Sequence, residues 1–368
     1  MTRSKHSEYM EWAKLHSQAR FNLATSGVLN VPSCEFPFDA KELEITGSDA
    51  YGYEPLQQRI ANHCNVPKEC VVAATGTSMA NQLAMAAVIE PGDEVLIEQP
   101  AYGPLVDVAN YLGARVKRIE RRFEAQFAIE PDQLQKAITS ATRLIVLTNL
   151  HNPSGALIPA QTVRAIGEIA HHANAHVLMD EAYLEMAFEP DAPFSFPIGQ
   201  AFGADNNPFI VTNSLTKTYG LSGLRCGWIL ASADLARRIW RLNDLFGVNA
   251  AFSAEQMSVL AFDNLKQFRE RARHLLETNR ALLNNFLDSR KDLECVRPIA
   301  GTIIFPRVAN GDAEAFIKVL REKYETSVVP GRFFDMAQHF RIGIGGQTTA
   351  AAAGLERLGA ALDEFAGD

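Results

Sequence analysis

The feature that most constrains this chain is a series of continuous apolar segments that alternate with helical patterns. The segments include VVAAT from Val71, EVLIEQ from Glu94, LIVLT from Leu144, HVLMD from His176 and PFIVTN from Pro208. A parallel sheet covered on both faces buries every residue of its strands, so its strands are continuous apolar runs. We therefore predict an α/β fold with a mostly parallel sheet sandwiched by helices.

The chain of 368 residues is long enough for two domains. Residues from Ser253 to about Ser289 have leucine and phenylalanine at helical spacing, and mixed strand and helix patterns follow them. We predict an N-terminal segment of residues 1–44 that packs with the small domain. A large domain of residues 45–270 and a smaller α+β domain of residues 271–368 complete the division.

Composition argues against several classes of partner. The 35 Lys+Arg against 43 Asp+Glu give a net charge of −8, which offers no general attraction for nucleic acid. The five cysteines form no CxxC pair and indicate reduced thiols in a cytoplasmic protein rather than a metal or disulfide framework. No apolar run reaches the ~20 residues that span a bilayer. The cation-rich stretch RVKRIERR (115–122) indicates a solvated strand edge or loop.

Polar residues that follow the apolar segments form the second informative pattern, because ligands of an open parallel sheet bind at the carboxyl ends of its strands. Gly76 and Thr77 precede a helix in TGTS, which suits a phosphate but equally suits a capped helix start. Tyr102 follows the next segment and either stacks on a flat ligand or packs into the core. Asn152 follows in HNPSG, a turn-like stretch whose histidine, His151, we interpret as incidental.

Two further strand ends carry charge. Asp180 ends an apolar strand, and burying its carboxylate is costly unless a cation needs it; Tyr183 follows it closely. Lys217 lies in NSLTKTYG, with Arg225 eight residues later. The lysine could be a phosphate clamp or a Schiff-base nucleophile. Pyridoxal 5′-phosphate (PLP) is the ligand that matches this whole set of groups. The set consists of a hydroxyl-rich phosphate cradle, a stacking ring, an amide, a carboxylate, a phenol, an amine and a guanidinium.

Three ordered motifs carry a family resemblance. The motifs SLTKTYGLSGLR, NLHNPSG and DEAY, with FRIGIGG downstream, resemble the class I/II aminotransferases of the fold-type I PLP-dependent enzymes, related to aspartate aminotransferase. The resemblance runs from about Gly27 to Arg341. It implies that the large domain binds PLP and that the protein is a homodimer with active sites at the interface.

The resemblance also implies roles for single residues. Lys217 would form a Schiff base with PLP and then move the substrate proton. Asp180 would pair with the pyridine nitrogen, while Tyr183 and Asn152 would hydrogen-bond the ring oxygen. The remaining binding residues are Tyr102, which would stack on the ring, the phosphate ligands Gly76, Thr77, Ser214, Thr216 and Arg225, and the substrate-side residues Gly27, Asn152 and Arg341.

One motif departs from the family pattern. A tyrosine that reaches the phosphate of the neighbouring subunit usually stands about five residues before a glycine that aligns here with Gly52. That position holds Gly47, and a tyrosine stands at Tyr51 instead. The usual arginine of the same motif is Gln57. Either Tyr51 replaces the cross-subunit contact from a shifted loop, or the contact is lost.

The expected function is transfer of an amino group from an L-amino acid to a 2-oxo acid. The alternative is a C–S lyase, decarboxylase or synthase on the same fold, because the same electron sink serves all of them. Two other classes are disfavoured by the sequence. A PLP-sensing regulator would need a basic DNA-binding domain, and the residues before the fold show no helix-turn-helix pattern. A nucleotide-binding Rossmann protein would need a GxGxxG motif after the first strand, and that strand is not followed by one. The apolar segment LFGVNAAF (245–252) favours a pocket wall for neutral or aromatic side chains.

Overall fold

A computed structural model of the protein describes residues 5–47, 50–189 and 192–365. Its α-helices are α1 (Glu8–Leu15), α2 (Glu54–Cys64), α3 (Gly76–Ala86), α4 (Gly103–Leu112), α5 (Pro131–Ala137), α6 (Ala160–His172), α7 (Ser195–Gly199), α8 (Ala233–Asn243), α9 (Phe252–Asp263), α10 (Leu265–Asp288), α11 (Ala313–Tyr324) and α12 (Thr348–Phe365).

Its strands are β1 (Phe21–Asn22), β2 (Val71–Thr75), β3 (Glu94–Gln99), β4 (Arg115–Glu120), β5 (Thr142–Thr148), β6 (His176–Asp180), β7 (Phe209–Ser214), β8 (Cys226–Leu230), β9 (Leu293–Glu294), β10 (Ile303–Ile304), β11 (Arg307–Val308), β12 (Thr326–Ser327), β13 (Val329–Pro330) and β14 (Phe340–Gly343). In the described ranges, no helix combines the length and apolarity needed to cross a membrane.

A seven-stranded sheet with the order β2-β8-β7-β6-β5-β3-β4 forms the centre of the fold. Strand β8 is antiparallel to both of its neighbours, and the other pairs are parallel. Apolar cores cover both faces, with α3, α4 and α8 on one side and α2, α6 and α9 on the other. The predicted α/β fold is therefore confirmed, and the continuous apolar runs follow from burial on two faces.

The predicted helical stretch near residues 253–289 is confirmed as α9 and α10, which are separated at Asn264. Phe268 in the first turn of α10 packs in the core of the large sheet, whereas Ala272 and Leu276 pack with the C-terminal elements. Helix α10 therefore runs from one core to the other.

The C-terminal elements form a second, smaller layered unit. Strands β10, β14 and β13 make an antiparallel sheet, and α11 and α12 pack beside it. The N-terminal segment joins this unit, because β1 pairs in parallel with β12 and Leu23 enters the same core. The division into residues 1–44, 45–270 and 271–368 stays a prediction.

A buried ion pair joins the strand ends beside the site. The carboxylate of Glu98, at the end of β3, lies 2.6 Å from Nη1 of Arg121, and both side chains are fully buried. The other Glu98 oxygen accepts hydrogen bonds from the backbone N–H and hydroxyl of Thr148. The expectation of solvation for the whole stretch 115–122 is wrong at Arg121, because its charge compensates a carboxylate that the sheet excludes from water.

We expect the variant Arg121→Ala to lose about 3–5 kcal/mol of unfolding free energy, because Glu98 would keep a buried charge without a partner. Urea denaturation monitored by circular dichroism measures the loss. The control is Arg59→Ala, which breaks an exposed pair with Asp263 and should cost less than about 1 kcal/mol. Equal losses in both variants would contradict this interpretation.

Candidate active site

A cavity of about 550 Å³ opens at the carboxyl ends of the central strands. The predicted residues that line it are Gly27, Thr77, Tyr102, Asn152, Asp180, Tyr183, Ser214, Thr216, Lys217 and Arg225. The strand ends bring together side chains that are far apart in the sequence, as the parallel topology requires. Gly76 and Arg341 do not line the cavity but contact residues that do.

Asp180 presents a buried carboxylate to this cavity. Its Oδ2 accepts a 2.8 Å hydrogen bond from the side-chain amide of Asn81, and its Oδ1 accepts one from the backbone N–H of Ala182. The hydroxyl of Thr212 donates to the amide oxygen of Asn81, which turns the NH₂ group toward the carboxylate. Burial raises the pKa of Asp180, against the effect of these donors. A cationic N–H in the cavity would stabilise its charged form.

Lys217 presents a half-buried amine to the same cavity. Its Nζ donates a 2.9 Å hydrogen bond to the hydroxyl of Ser26 and lies 5.8 Å from the ring centroid of Tyr183. Burial lowers the pKa of the amine, and the positive charges of Arg341 and Arg225 act in the same direction. A lowered pKa increases the neutral fraction of the amine, which is the nucleophilic form.

A cradle for an anion lies at the start of α3. The Thr77 hydroxyl donates to Oγ of Ser214 at 2.8 Å, and the Arg225 guanidinium lies against Gly76. A Cβ at Gly76, where φ is +78°, would lie 2.4 Å from Arg225 Nη2. A Cβ at Gly227 would lie 2.5 Å from the carbonyl carbon of Gly76. The glycines therefore allow the close approach of hydroxyl, helix terminus and guanidinium that a phosphate needs.

Arg341 lies behind Asn152 rather than in the cavity wall. Its Nη1 donates to Oδ1 of Asn152 at 2.8 Å, and its Nη2 donates to the hydroxyl of Tyr9 at 3.0 Å. Its buried Nε has no hydrogen-bond partner in the described chain. Tyr9 belongs to α1 and meets Tyr102 edge to face, with ring centroids 5.3 Å apart. The N-terminal helix therefore contributes to the site.

Both ring nitrogens of His151 are hydrogen-bonded within the chain, which fits the incidental role expected for this residue. Its Nε2 lies 2.9 Å from the carbonyl oxygen of Pro100, and its Nδ1 lies 2.6 Å from the hydroxyl of Ser154. Because a carbonyl only accepts, Nε2 carries the proton and Nδ1 accepts from the serine. Burial holds the pKa of His151 well below its usual range, so the ring is neutral.

Two segments that the sequence placed near the site lie outside the cavity of this chain. The Tyr51 hydroxyl donates to Asp244 at 2.9 Å, and its side chain is 52% exposed. In the segment 245–252, Leu245 and Val248 are exposed. These side chains do not line the cavity of a single chain, so the expected apolar pocket wall stays a prediction.

Three site residues escaped the sequence analysis. Asn81 lies four residues after Thr77, one helical turn along the face of α3 that meets Asp180, and this spacing was a usable signal. Ser26 precedes Gly27 and could have been grouped with it. Tyr9 had no local signal, because its contact with Arg341 joins the two ends of the chain.

The donor set fits pyridoxal 5′-phosphate. A half-buried amine suits its aldehyde, and the glycine-lined cradle suits its phosphate. The buried carboxylate of Asp180, which forms no ion pair among the described residues, suits its ring nitrogen. Across the described ranges, no group of three or more His, Cys, Asp or Glu side chains is arranged to hold a metal. The fold and site thus define a fold-type I PLP-dependent enzyme.

The sequence comparison identifies the family. Residues 42–358 match the aminotransferase class I and II family, and the chain belongs to it. It is accordingly a PLP-dependent aminotransferase. Capreomycidine synthase of Streptomyces vinaceus is 29% identical over 369 residues, which cover 95% of this chain and 90% of that protein. The arginine–pyruvate transaminase AruH of Pseudomonas aeruginosa is 28% identical, with coverage of 81% and 77%.

Solved structures agree with this fold. A PLP-dependent aminotransferase from Streptococcus suis superposes with a TM-score of 0.90 at 25% identity, over 98% of this chain and 99% of that one. The PLP-dependent cyclase OrfR superposes with a TM-score of 0.88 at 24% identity, over 99% of each chain.

We expect Gly76→Ala to weaken PLP binding about tenfold, because a β-carbon there displaces the Arg225 guanidinium and strains a residue with positive φ by about 1–3 kcal/mol. Titration of the apoenzyme with PLP, followed by absorbance, measures the affinity. Gly223→Ala is the matched control, since a Cβ at Gly223 meets nothing within 4 Å. An unchanged affinity for PLP in Gly76→Ala would contradict the assignment of this cradle to the phosphate.

Proposed function

We propose that Lys217 is the covalent attachment point of PLP and the residue that moves the proton at the substrate α-carbon. Bound PLP supplies an electron sink for the bond that breaks at this carbon. The observation that carries the proposal is that one cavity is lined by the half-buried amine of Lys217, the buried carboxylate of Asp180 and the Arg225 cradle. Burial also lowers the pKa of the amine. A neutral amine both attacks an aldehyde and accepts a proton.

The other predicted residues receive roles from their chemistry. Asp180 would accept the hydrogen bond of the pyridine nitrogen and keep it protonated, and Asn81 would hold the carboxylate in place. Tyr183 and Asn152 would hydrogen-bond the ring oxygen, and Tyr102 would stack on the ring. The phosphate would be held by Gly76, Thr77, Ser214, Thr216 and Arg225.

Arg341 would bind the substrate α-carboxylate, with Gly27 and Asn152 on the same side. The buried Nε of Arg341 has no partner in the described chain, and an unpaired buried donor is costly. A carboxylate oxygen would satisfy this donor and would gain a charge-assisted hydrogen bond.

We further propose that the substrate side chain is uncharged. Among the described residues that line the cavity, the ionised groups are Asp180, Lys217 and Arg225, and all three are assigned to the cofactor. The rest of the wall is neutral and includes Tyr9, Trp12, Ser17, Gln18, Asn22 and Asn30. A dicarboxylic substrate would need a further cation, because a buried carboxylate without one is costly.

A homodimer and a cytoplasmic location complete the proposal. Large apolar side chains are exposed on one chain at Ile45, Leu245, Phe246 and Val248, and such exposure is typical of subunit interfaces. In such a dimer either the exposed Tyr51 would supply the contact to the phosphate of the neighbouring subunit, or that contact would be lost. The cytoplasmic location rests on the cysteine content of the sequence.

A synthase reaction is the second candidate. The similarity to capreomycidine synthase covers 95% of this chain, whereas that to the arginine–pyruvate transaminase covers 81%. Such an enzyme would use the same Lys217 and Asp180 but would retain the amino group in its product.

We expect Lys217→Ala to lower the rate of amino transfer by about 10²–10⁴-fold, since the general base is removed. Borohydride reduction of the wild-type protein followed by peptide mass spectrometry should place the cofactor mass on Lys217. The control Lys266→Ala removes a side chain that is 91% exposed. It should keep the wild-type rate of amino transfer and the cofactor mass on Lys217. Labelling of another lysine in wild type would overturn the assignment.

We expect neutral L-amino acids to convert the bound cofactor to its amine form at least about tenfold more efficiently than aspartate, because the described residues of one chain supply no spare cation to the cavity. A half-reaction screen with single amino acids, followed by absorbance and keto-acid release, measures this preference.

Two outcomes of the screen carry separate conclusions. Faster reaction with aspartate would refute the proposed substrate class. Consumption of an amino acid without the amine form of the cofactor, and with the amino group retained in a cyclised product, would replace the transaminase proposal by the synthase. Release of ammonia and pyruvate from a cysteine conjugate would instead indicate a lyase.

A further inference from the structure

A second cavity of about 380 Å³ lies on the other face of the seven-stranded sheet. We call it the rear cavity; it is enclosed by the end of α2, by α7, by β7 and β8, and by the start of α10. Successive residues of a strand point to opposite faces. Asn213 therefore lines the rear cavity while Ser214 lines the cofactor cavity. None of the roles proposed above uses the rear cavity.

One acid of the rear cavity is fully paired. The carboxylate of Glu185 accepts hydrogen bonds from the Tyr219 hydroxyl, from Asn213 Nδ2 at 2.9 Å and from His63 Nε2 at 3.3 Å. Burial opposes ionisation of both partners, but their attraction prevails: it raises the pKa of His63 and lowers that of Glu185. Glu185 therefore has no need of a ligand.

The other buried acid, Glu181, lacks a cation. Its side chain is 1% exposed, and its Oε1 accepts a 2.7 Å hydrogen bond from the backbone N–H of Ser195. No ion pair of Glu181 occurs within the described ranges. Burial raises its pKa to about 8. With this pKa the carboxyl is mostly protonated near neutral pH, and a cation that enters from solvent would stabilise its charged form in place of the proton.

The walls around Glu181 are aromatic. The side chains of Phe194, Phe196, Tyr219 and Trp228 line the rear cavity. Aromatic faces attract organic cations through their quadrupoles, and a nearby carboxylate adds direct charge attraction. The volume is within the range of small-ligand pockets, roughly 300–1,000 Å³.

The mouth of the rear cavity carries charges of both signs. Lys266 and Arg269 lie there on α10, with Glu189 beside them. The Lys266 side chain is 91% exposed, and solvent and salt screen a charge in that position. Arg269 is half-buried, and its charge acts on His63 and Tyr219 within the cavity, so a cation at Glu181 must bind against this repulsion.

We infer that the rear cavity binds a small organic ammonium ion, with its cationic head at Glu181 and its hydrocarbon part against the aromatic walls. Glu181 directly follows Asp180 in the chain, so the ligand is held at the back of the same strand end that serves the cofactor.

The test uses choline on the PLP-loaded enzyme, because a quaternary ammonium cannot react with the aldehyde of the cofactor. Isothermal titration calorimetry should show one choline per chain, bound about tenfold more tightly than its neutral isostere 3,3-dimethylbutan-1-ol. Glu181→Gln keeps the shape of the side chain and removes its charge. We expect this change to weaken choline binding about tenfold and to leave binding of the alcohol unchanged.

Matched variants separate the rear cavity from other sites. Glu189→Gln removes a charge at the mouth and should change choline affinity less than about twofold. Phe196→Leu removes one aromatic wall and should weaken the binding of choline more than that of the alcohol. This variant provides a second test of the inference should Glu181→Gln fail to fold. Absence of choline binding up to about 20 mM, or equal binding by wild type and Glu181→Gln, would refute the inference.

Discussion

The active site depends on a carboxylate, Asp180, that the sheet buries without an ion pair to any residue that the structure describes. Hydrogen bonds from Asn81 and from the backbone of Ala182 hold it in place, and burial raises its pKa. Burying a charge in this way is costly, and a protonated ring nitrogen in the cavity would offset that cost. The half-buried amine of Lys217 has the complementary property, because loss of water lowers its pKa and favours its nucleophilic form. Cofactor and fold are therefore coupled through electrostatics.

The same sheet serves two cavities because strand residues alternate between its faces. Ser214 and Asp180 face the cofactor cavity, and their neighbours Asn213 and Glu181 face the rear cavity. The ends of β6 and β7 therefore carry polar groups on both faces of the sheet. On each strand the residue that faces one cavity directly neighbours the residue that faces the other. A change in charge on one face acts across a single peptide unit on the other.

Much of the site could be predicted from the sequence, because parallel strands deliver their carboxyl ends to one edge. Asp180, Asn152 and Lys217 were found in this way, and the structure brings them to one cavity. The pairing of Arg121 with Glu98 could not be predicted, since nothing local distinguishes a buried arginine from its solvated neighbours in RVKRIERR. The contact of Tyr9 with Arg341 was equally hidden, because it joins residues 332 positions apart.

The sequence by itself determined the α/β class, the strand ends and the residue types that suit PLP, because apolar periodicity and motif spacing are local properties of the chain. The tertiary structure alone decided which side chains meet and which charges lose their water. It placed Arg341 behind Asn152, kept His151 neutral and left Glu181 without a cation. Burial and long-range contact depend on how distant segments pack, and a local pattern does not contain that information.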